Sequence, residues 1–334
     1  MMQGTHSRRP IERNIAMELV RATEAAAMAA ARYLGRGNKE LVDQAAVDAM
    51  RLALGHVSMD GIVVIGEGEK DEAPMLYIGE HIGDGSELKV DIAVDPVDGT
   101  TLVANGLPGA ISAVALSARG TINCPRQFVY MDKIATGPEA KDVVDINAPV
   151  AENLKNIARA KKRNVSDLTV VVLDRPRHEQ LLSEIRSAGA RVKLIPAGDL
   201  AAGIQAALPE TGLDVLLGIG GTPEGVLTAA AIQCIGGTIQ CKAWPRDDRE
   251  RDAALKAGIN LDKVYYTDDL INSDDVFFAA TGVSTGELLE GVRYFSGGAA
   301  TQSLAMRSSS GTVRWVDAHH NFDRLDKLRS LDLP

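Results

Sequence analysis

The stretch Val90-Asp91-Ile92-Ala93-Val94-Asp95-Pro96-Val97-Asp98-Gly99-Thr100-Thr101 constrains this chain more than any other. Alternating apolar residues carry a strand as far as Asp95, Pro96 forbids continued ladder pairing, and Asp98-Gly99 supplies turn chemistry. Two carboxylates three residues apart then converge at one strand tip. Hard cations such as Mg²⁺ or Mn²⁺ take oxygen ligands of this kind, with water and phosphate oxygens in the remaining positions. The competing explanation is a surface turn with two solvated aspartates.

A second acidic turn follows the β-branched run Ile62 to Ile65 in the same way, as Gly66-Glu67-Gly68-Glu69-Lys70-Asp71-Glu72. Glu67 is nearest the strand tip and is the ligand candidate, whereas Glu69, Asp71 and Glu72 read as a solvated loop. Acids in this position oppose pyrophosphate binding, so the glycines are not a dinucleotide fingerprint. A third turn, Gly218-Ile219-Gly220-Gly221-Thr222-Pro223-Glu224-Gly225, follows Val215 to Leu217. Thr222 fits an N-cap and Pro223 the first helical position, which leaves free N–H groups suited to a phosphate and places Glu224 to complete a metal cage. An ordinary glycine turn with an acid favourably placed on the helix dipole explains the same residues.

Around these turns the texture is that of an α/β protein. Helical spacing runs from Ile11 to about Leu34, stopped by Gly35-Arg36-Gly37, and again from about Glu40 to Val57. Apolar runs at 111–116, 128–135, 169–173, 191–195 and 213–219 alternate with helical stretches at 150–163, 177–188 and 199–208. From Asp275 onward short strand-like pieces predict a second sheet or a sheet extension. Residues 1–10 read as a mobile arm. Charge and Asn around 140–165 mark a junction between an N-terminal half, 11–150, with most of the acidic ligands, and a C-terminal half, 151–334, with further loops and Glu224. The 36 basic and 45 acidic side chains, net −9, give no electrostatic reason to expect nucleic acid or an anionic membrane as partner. Cys124, Cys234 and Cys241 lack zinc-site spacing and read as reduced thiols. No secretory signal and no apolar run of membrane-spanning length is visible.

Taken together, IGEGE at 65–69, DPVDGT at 95–100 and GIGGTPEG at 218–225 resemble the class II fructose-1,6-bisphosphatases, within the lithium-sensitive sugar and inositol phosphatase superfamily. The resemblance extends through GRGNKELVDQAAVDAM at 35–50, GEGEKDEAPMLYIGE at 66–80, RPRH at 175–178 and FFAATGVSTGELLEGVRY at 277–294. It implies a layered α/β/α/β/α fold with two sheets, Mg²⁺ or Mn²⁺, and hydrolysis of the 1-phosphate of fructose 1,6-bisphosphate. Some members also take sedoheptulose 1,7-bisphosphate. Carried residue by residue, it implies Asp43, Glu67, Asp95, Asp98 and Glu224 at the metals, and Thr100 with Asp43 and Lys39 in catalysis. Substrate contacts fall to Asp98, Gly99, Thr100, Tyr130, Arg175, Pro176, Arg177, Gly198, Asp199 and Gly221. A cytoplasmic homodimer or homotetramer acting in gluconeogenesis or carbon fixation is the family expectation. The chain departs from some members in having Ala197 where they carry Asp and Gln44 where they carry Gly.

The residues themselves admit simpler explanations. Lys39 and Asp43, four apart on a helix, suit a local ion pair. Arg175 and Arg177, at a strand-to-helix turn, suit bidentate phosphate binding but also occur in ordinary surface turns. Tyr130 on an apolar strand is more often core, and His178, His319 and His320 show no metal-ligand spacing. An inositol monophosphatase-like or nucleotide phosphatase is the nearest rival function, and a noncatalytic phosphosugar-binding protein the rival of another class.

Overall fold

The computed structural model describes residues 14–68 and 75–324. The expected N-terminal arm and the loop acids Glu69, Asp71 and Glu72 lie outside the described residues. The chain begins with α1 (Ala16–Ala31) and α2 (Lys39–Gly55), the latter capped by Asn38, whose side chain accepts from Leu41 N at 3.0 Å. There follow β1 (Asp60–Ile65), β2 (His81–Ile82), β3 (Lys89–Asp98), the short α3 (Thr100–Ala104) and β4 (Ile111–Ala118). The middle of the chain supplies β5 (Tyr130–Thr136), α4 (Val150–Ala160), β6 (Thr169–Leu173), α5 (Glu179–Ser187), β7 (Arg191–Ile195), α6 (Asp199–Ala207), β8 (Val215–Gly221) and α7 (Thr222–Ile235). After β9 (Thr238–Ala243), α8 (Asp248–Lys256), β10 (Val264–Tyr266) and α9 (Thr267–Leu270) come β11 (Val276–Gly282), β12 (Arg293–Phe295), β13 (Gly298–Arg307) and β14 (Thr312–Asn321).

Two mixed sheets result, in order β12-β13-β11-β4-β3-β1-β2 with β14 on the outer edge of β13, and β10-β9-β5-β8-β6-β7. The tail therefore extends the first sheet instead of forming one of its own. Residues 140–165 lie within the stretch that builds the second sheet, and the chain returns to the first at β11.

Layering follows from which faces are apolar. Strand β11 is buried at every position, which requires cover on both faces. Helices α1 and α2 cover one face, and Ala-rich α1 lets the strands approach closely. A buried hydroxyl chain ties α1 to the sheet, from Thr23 to Thr281 at 2.7 Å and on to Ser303 at 2.8 Å. Helices α6 and α7 fill the space between the two sheets, and ten of the fourteen residues of α7 are buried, as an all-round apolar helix must be. Helices α4 and α5 close the far face of the second sheet with Leu154, Ile157, Leu182 and Ile185. Each such side chain contributes roughly 1.5–3 kcal/mol of burial. The order is α/β/α/β/α, with the starts of α6 and α7 held at the seam between the sheets.

Candidate active site

Strand β3 does not stop at Asp95. It continues to Asp98, and the ladder to β4 slips between the pairs Asp95–Ala113 and Asp98–Ile111. Pro96 sits within that bulge, so the missing N–H interrupts pairing without ending the strand. Gly99 then turns the chain with φ of 92°, a left-handed conformation that a side chain would disfavour, and α3 begins at Thr100.

The Thr100 hydroxyl donates to Asp43 Oδ1 at 2.6 Å, joining α3 to α2 across 57 positions of sequence. Oγ1 also lies 3.2 Å from Val97 O, a second acceptor for the same proton, so its lone pairs are left to accept. Lys39 is exposed one turn before Asp43 and draws the carboxyl downward by its field, but among the described residues the expected ion pair is not formed. Burial outweighs that field and the Thr100 bond, and the Asp43 carboxyl is raised above the ordinary range.

From Asp43 the acids continue in one chain of repulsion. Glu67, exposed at the rim but crowded on its inner side, is pushed up to about 7 by burial and then by Asp43. Asp95 lies well above the usual range through burial, Asp98, Glu224 and Glu67, and Asp98 through burial, Asp199 and Glu224. Asp98 is 5% exposed and accepts from Ala201 N at 3.3 Å. Glu224 Oε2 is buried with no hydrogen-bond partner in the structure. All five acids of the anticipated set thus share one electrostatic environment. Among the described residues no three of them close into a ready-made cage. A buried carboxylate oxygen without a partner and four mutually repelling neighbours fit a hard divalent cation, which uses few protein ligands and completes its shell with water and phosphate.

The glycine turn works differently from the sequence expectation. Helix α7 starts at Thr222 with Gly221 before it, one residue earlier than expected, and the Thr222 hydroxyl has no partner. Two of the turn's N–H groups are already engaged. Ile219 N donates to His178 Nε2 at 2.8 Å, Thr222 N donates to Val129 O at 3.0 Å, and Gly220 and Gly221 pair with Met131 and Tyr130. The glycines serve to admit carboxylates. A Cβ at Gly220 would lie 2.0 Å from Asp199 Oδ2, and one at Gly221 1.9 Å from Glu224 Oε2. His178 is structural: its Nδ1 donates to Leu173 O at 2.7 Å, which fixes the tautomer, and burial holds it neutral.

The basic side of the site comes from the turn after β6. Arg175 Nη1 donates to Asp174 O, Arg177 Nη2 to Ile219 O, each at 2.8 Å, and Arg177 Nε is buried with no partner. Among the described residues neither guanidinium forms a salt bridge, and Pro176 between them is exposed at the start of a 3₁₀ turn. Tyr130 is not core. It is half-buried, with Arg177 stacked 5.1 Å from its ring centroid and Trp244 edge-on at 6.3 Å. Gly198, with φ of 84°, starts α6, so that Asp199 meets Lys133 Nζ at 2.8 Å. Sequence reasoning missed Lys133 and Trp244. The available signal is a lysine inside the apolar run 128–135.

Carboxylates that need cations, opposite guanidiniums that need anions, are chemically complementary to a phosphate ester, and the class that this fold and site define is the phosphatases. The sequence matches the family described as "Bacterial fructose-1,6-bisphosphatase, glpX-encoded" over residues 13–320. It is 44% identical to the D-fructose 1,6-bisphosphatase class 2/sedoheptulose 1,7-bisphosphatase of Thermosynechococcus vestitus, over 96% of this chain and 99% of that one. The protein of the same name from Synechococcus elongatus is 44% identical over 94% and 98% of the two chains. The extragenic suppressor protein suhB from Bartonella henselae overlays on 58% of this chain and 73% of its own, with 14% identity and a TM-score of 0.34, too distant to bear on the chemistry. The chain belongs to the bacterial fructose-1,6-bisphosphatase family. No helix among the described residues is long and apolar enough to cross a membrane.

Proposed function

We propose that this enzyme hydrolyses the 1-phosphate of fructose 1,6-bisphosphate by in-line attack of water assisted by Mg²⁺ or Mn²⁺, and that it also accepts sedoheptulose 1,7-bisphosphate. The observation that carries the reading is the Thr100–Asp43 hydrogen bond of 2.6 Å at the end of the acidic cluster. A divalent cation held by Glu67, Asp95, Asp98, Glu224 and Asp43 supplies positive charge for the phosphate and the departing sugar oxygen and acidifies nearby water. With its own proton given to Asp43, Thr100 Oγ1 is an acceptor for a proton from the attacking water, and Asp43, at 2.6 Å, is placed to take the proton passed on. The bond from phosphorus to the sugar oxygen breaks as the bond to the water oxygen forms, and the sugar oxygen takes a proton from solvent. Arg175 and Arg177 hold the phosphate that stays. Tyr130, Gly198 and Asp199 border the sugar between them, and Gly99 and Gly221 permit its approach.

The test is phosphate release from fructose 1,6-bisphosphate with Mg²⁺, Mn²⁺ or chelator, beside sedoheptulose 1,7-bisphosphate and inositol 1-phosphate. Metal-dependent turnover of the sugar bisphosphates is expected. Preference for inositol 1-phosphate would shift the substrate to the inositol phosphatases, and binding without turnover in saturating metal would make this a phosphosugar-binding protein. A cytoplasmic homodimer or homotetramer is the assembly proposed from the family, to be checked by sedimentation.

A further inference from the structure

Lys133 is an anomaly in the second sheet. It lies on β5, flanked on both sides by β8 and β9, and is 2% exposed. Its Nζ reaches Asp199 Oδ2 at 2.8 Å, and the nearby Gly220 and Gly225 leave space for it: a Cβ at Gly220 would lie 2.8 Å from Nζ, and one at Gly225 3.2 Å from Cε. Those two glycines flank the first turn of α7, and Asp199 opens α6, so the ammonium sits between two helix N-termini. That is an unfavourable place for a cation unless carboxylates surround it. Against the downward pull of burial, Asp199 and Glu224 hold Lys133 charged, and Lys133 in turn draws the Asp98 and Glu224 carboxyls downward.

The proposed function gives Asp98 and Glu224 to the cation and Asp199 to the sugar, although all three lie close enough to repel one another. Identical carboxylates in one crevice compete for the few protein positions a hard divalent ion takes, and nothing in the carboxylates themselves decides which of them stays out. We infer that Lys133 is a positioning residue, an internal counter-cation that holds Asp199 out of the metal shell and reserves it for a sugar hydroxyl. The inference rests on the proposed function and adds a division of labour to it. Gly220 and Gly225 take their place in the same device, since a side chain at either would displace the ammonium or its partner.

The experiment is Mn²⁺ titration of the substrate-free enzyme by calorimetry, for wild type, Lys133→Met and Lys133→Met with Asp199→Asn, together with KM and kcat for fructose 1,6-bisphosphate. Freed of its counter-cation, Asp199 joins the ion, so Lys133→Met should bind Mn²⁺ on the order of tenfold more tightly while KM rises by a similar factor. The double variant, which removes both members of the Lys133–Asp199 pair and so guards against a folding defect from leaving either one unpaired, should return to wild-type Mn²⁺ affinity without recovering KM. A purely structural lysine would lower stability and leave both quantities alone. Wild-type Mn²⁺ binding with Lys133→Met within twofold of it overturns this inference alone. Absence of Mn²⁺ binding in all three proteins overturns the metal reading and this inference with it.

Discussion

Gly220→Ala is the sharpest probe of how the site is built. Gly220 has an ordinary strand backbone, paired with Met131, so alanine is conformationally acceptable there. The added Cβ would sit 2.0 Å from Asp199 Oδ2 and 2.8 Å from Lys133 Nζ. The backbone at Gly220 is held in register by β5 through Met131, so the carboxylate has to retreat by at least about 1 Å. That opens the 2.8 Å contact with a lysine that has no water to replace it, and breaking a buried pair costs about 3–5 kcal/mol. A misplacement of about 1 Å in a positioned group also costs about a hundredfold in turnover. Urea unfolding monitored by circular dichroism should show a loss of roughly 3 kcal/mol, and kcat/KM should fall about a hundredfold. The decisive control is the same change in an Asp199→Ala background, where the clash with the carboxylate is gone, only the 2.8 Å approach to the flexible end of Lys133 remains, and the added methyl should cost less than about 1 kcal/mol. Equal costs in both backgrounds, or a small cost in both, would refute the reasoning.

Other consequences follow from single groups. Thr100→Ala should lower kcat by about 10²–10⁴ with KM little changed, while Thr100→Ser stays within about tenfold of wild type; full turnover in Thr100→Ala would remove the residue from the mechanism. Arg177→Met should raise KM for the bisphosphate by about 10- to 100-fold with a smaller effect on kcat, as loss of a charged hydrogen bond predicts. Glu24, 7% exposed between α1 and β13, has its carboxyl raised from 4.5 to about 7, burial outweighing Thr301 and Arg21, with His320 at 3.8 Å kept neutral by its own burial. The folded state binds the extra proton, so stability is lost as pH rises from 4.5 towards 7, by roughly 3 kcal/mol at about 1.4 kcal/mol per pH unit. Glu24→Gln should flatten that slope and stabilise the protein at pH 8; an unchanged pH profile of urea midpoints would contradict it.

The sequence by itself determined the strands, because their apolar runs need burial on both faces, and the acids that follow them, because charge cannot continue into a core. Five carboxylates and the two arginines were legible in that way, from turn chemistry and from family resemblance. Local pattern placed the start of α7 one residue late and gave no sign of which groups its glycines admit. A glycine in the sequence announces that something approaches closely but never what, and at Gly220 and Gly221 it is carboxylates from α6 and α7 that fill the space. Nor does pattern distinguish Asp91 from Asp95: Asp91 accepts from Thr121 N and Ile122 N and is structural, whereas Asp95 faces other acids. The partners of Thr100 and Lys133, 57 and 66 positions away, were decided only when the layers closed. Such pairings depend on which helix ends the two sheets bring to one seam, and that is a property of tertiary packing, since no local spacing encodes it.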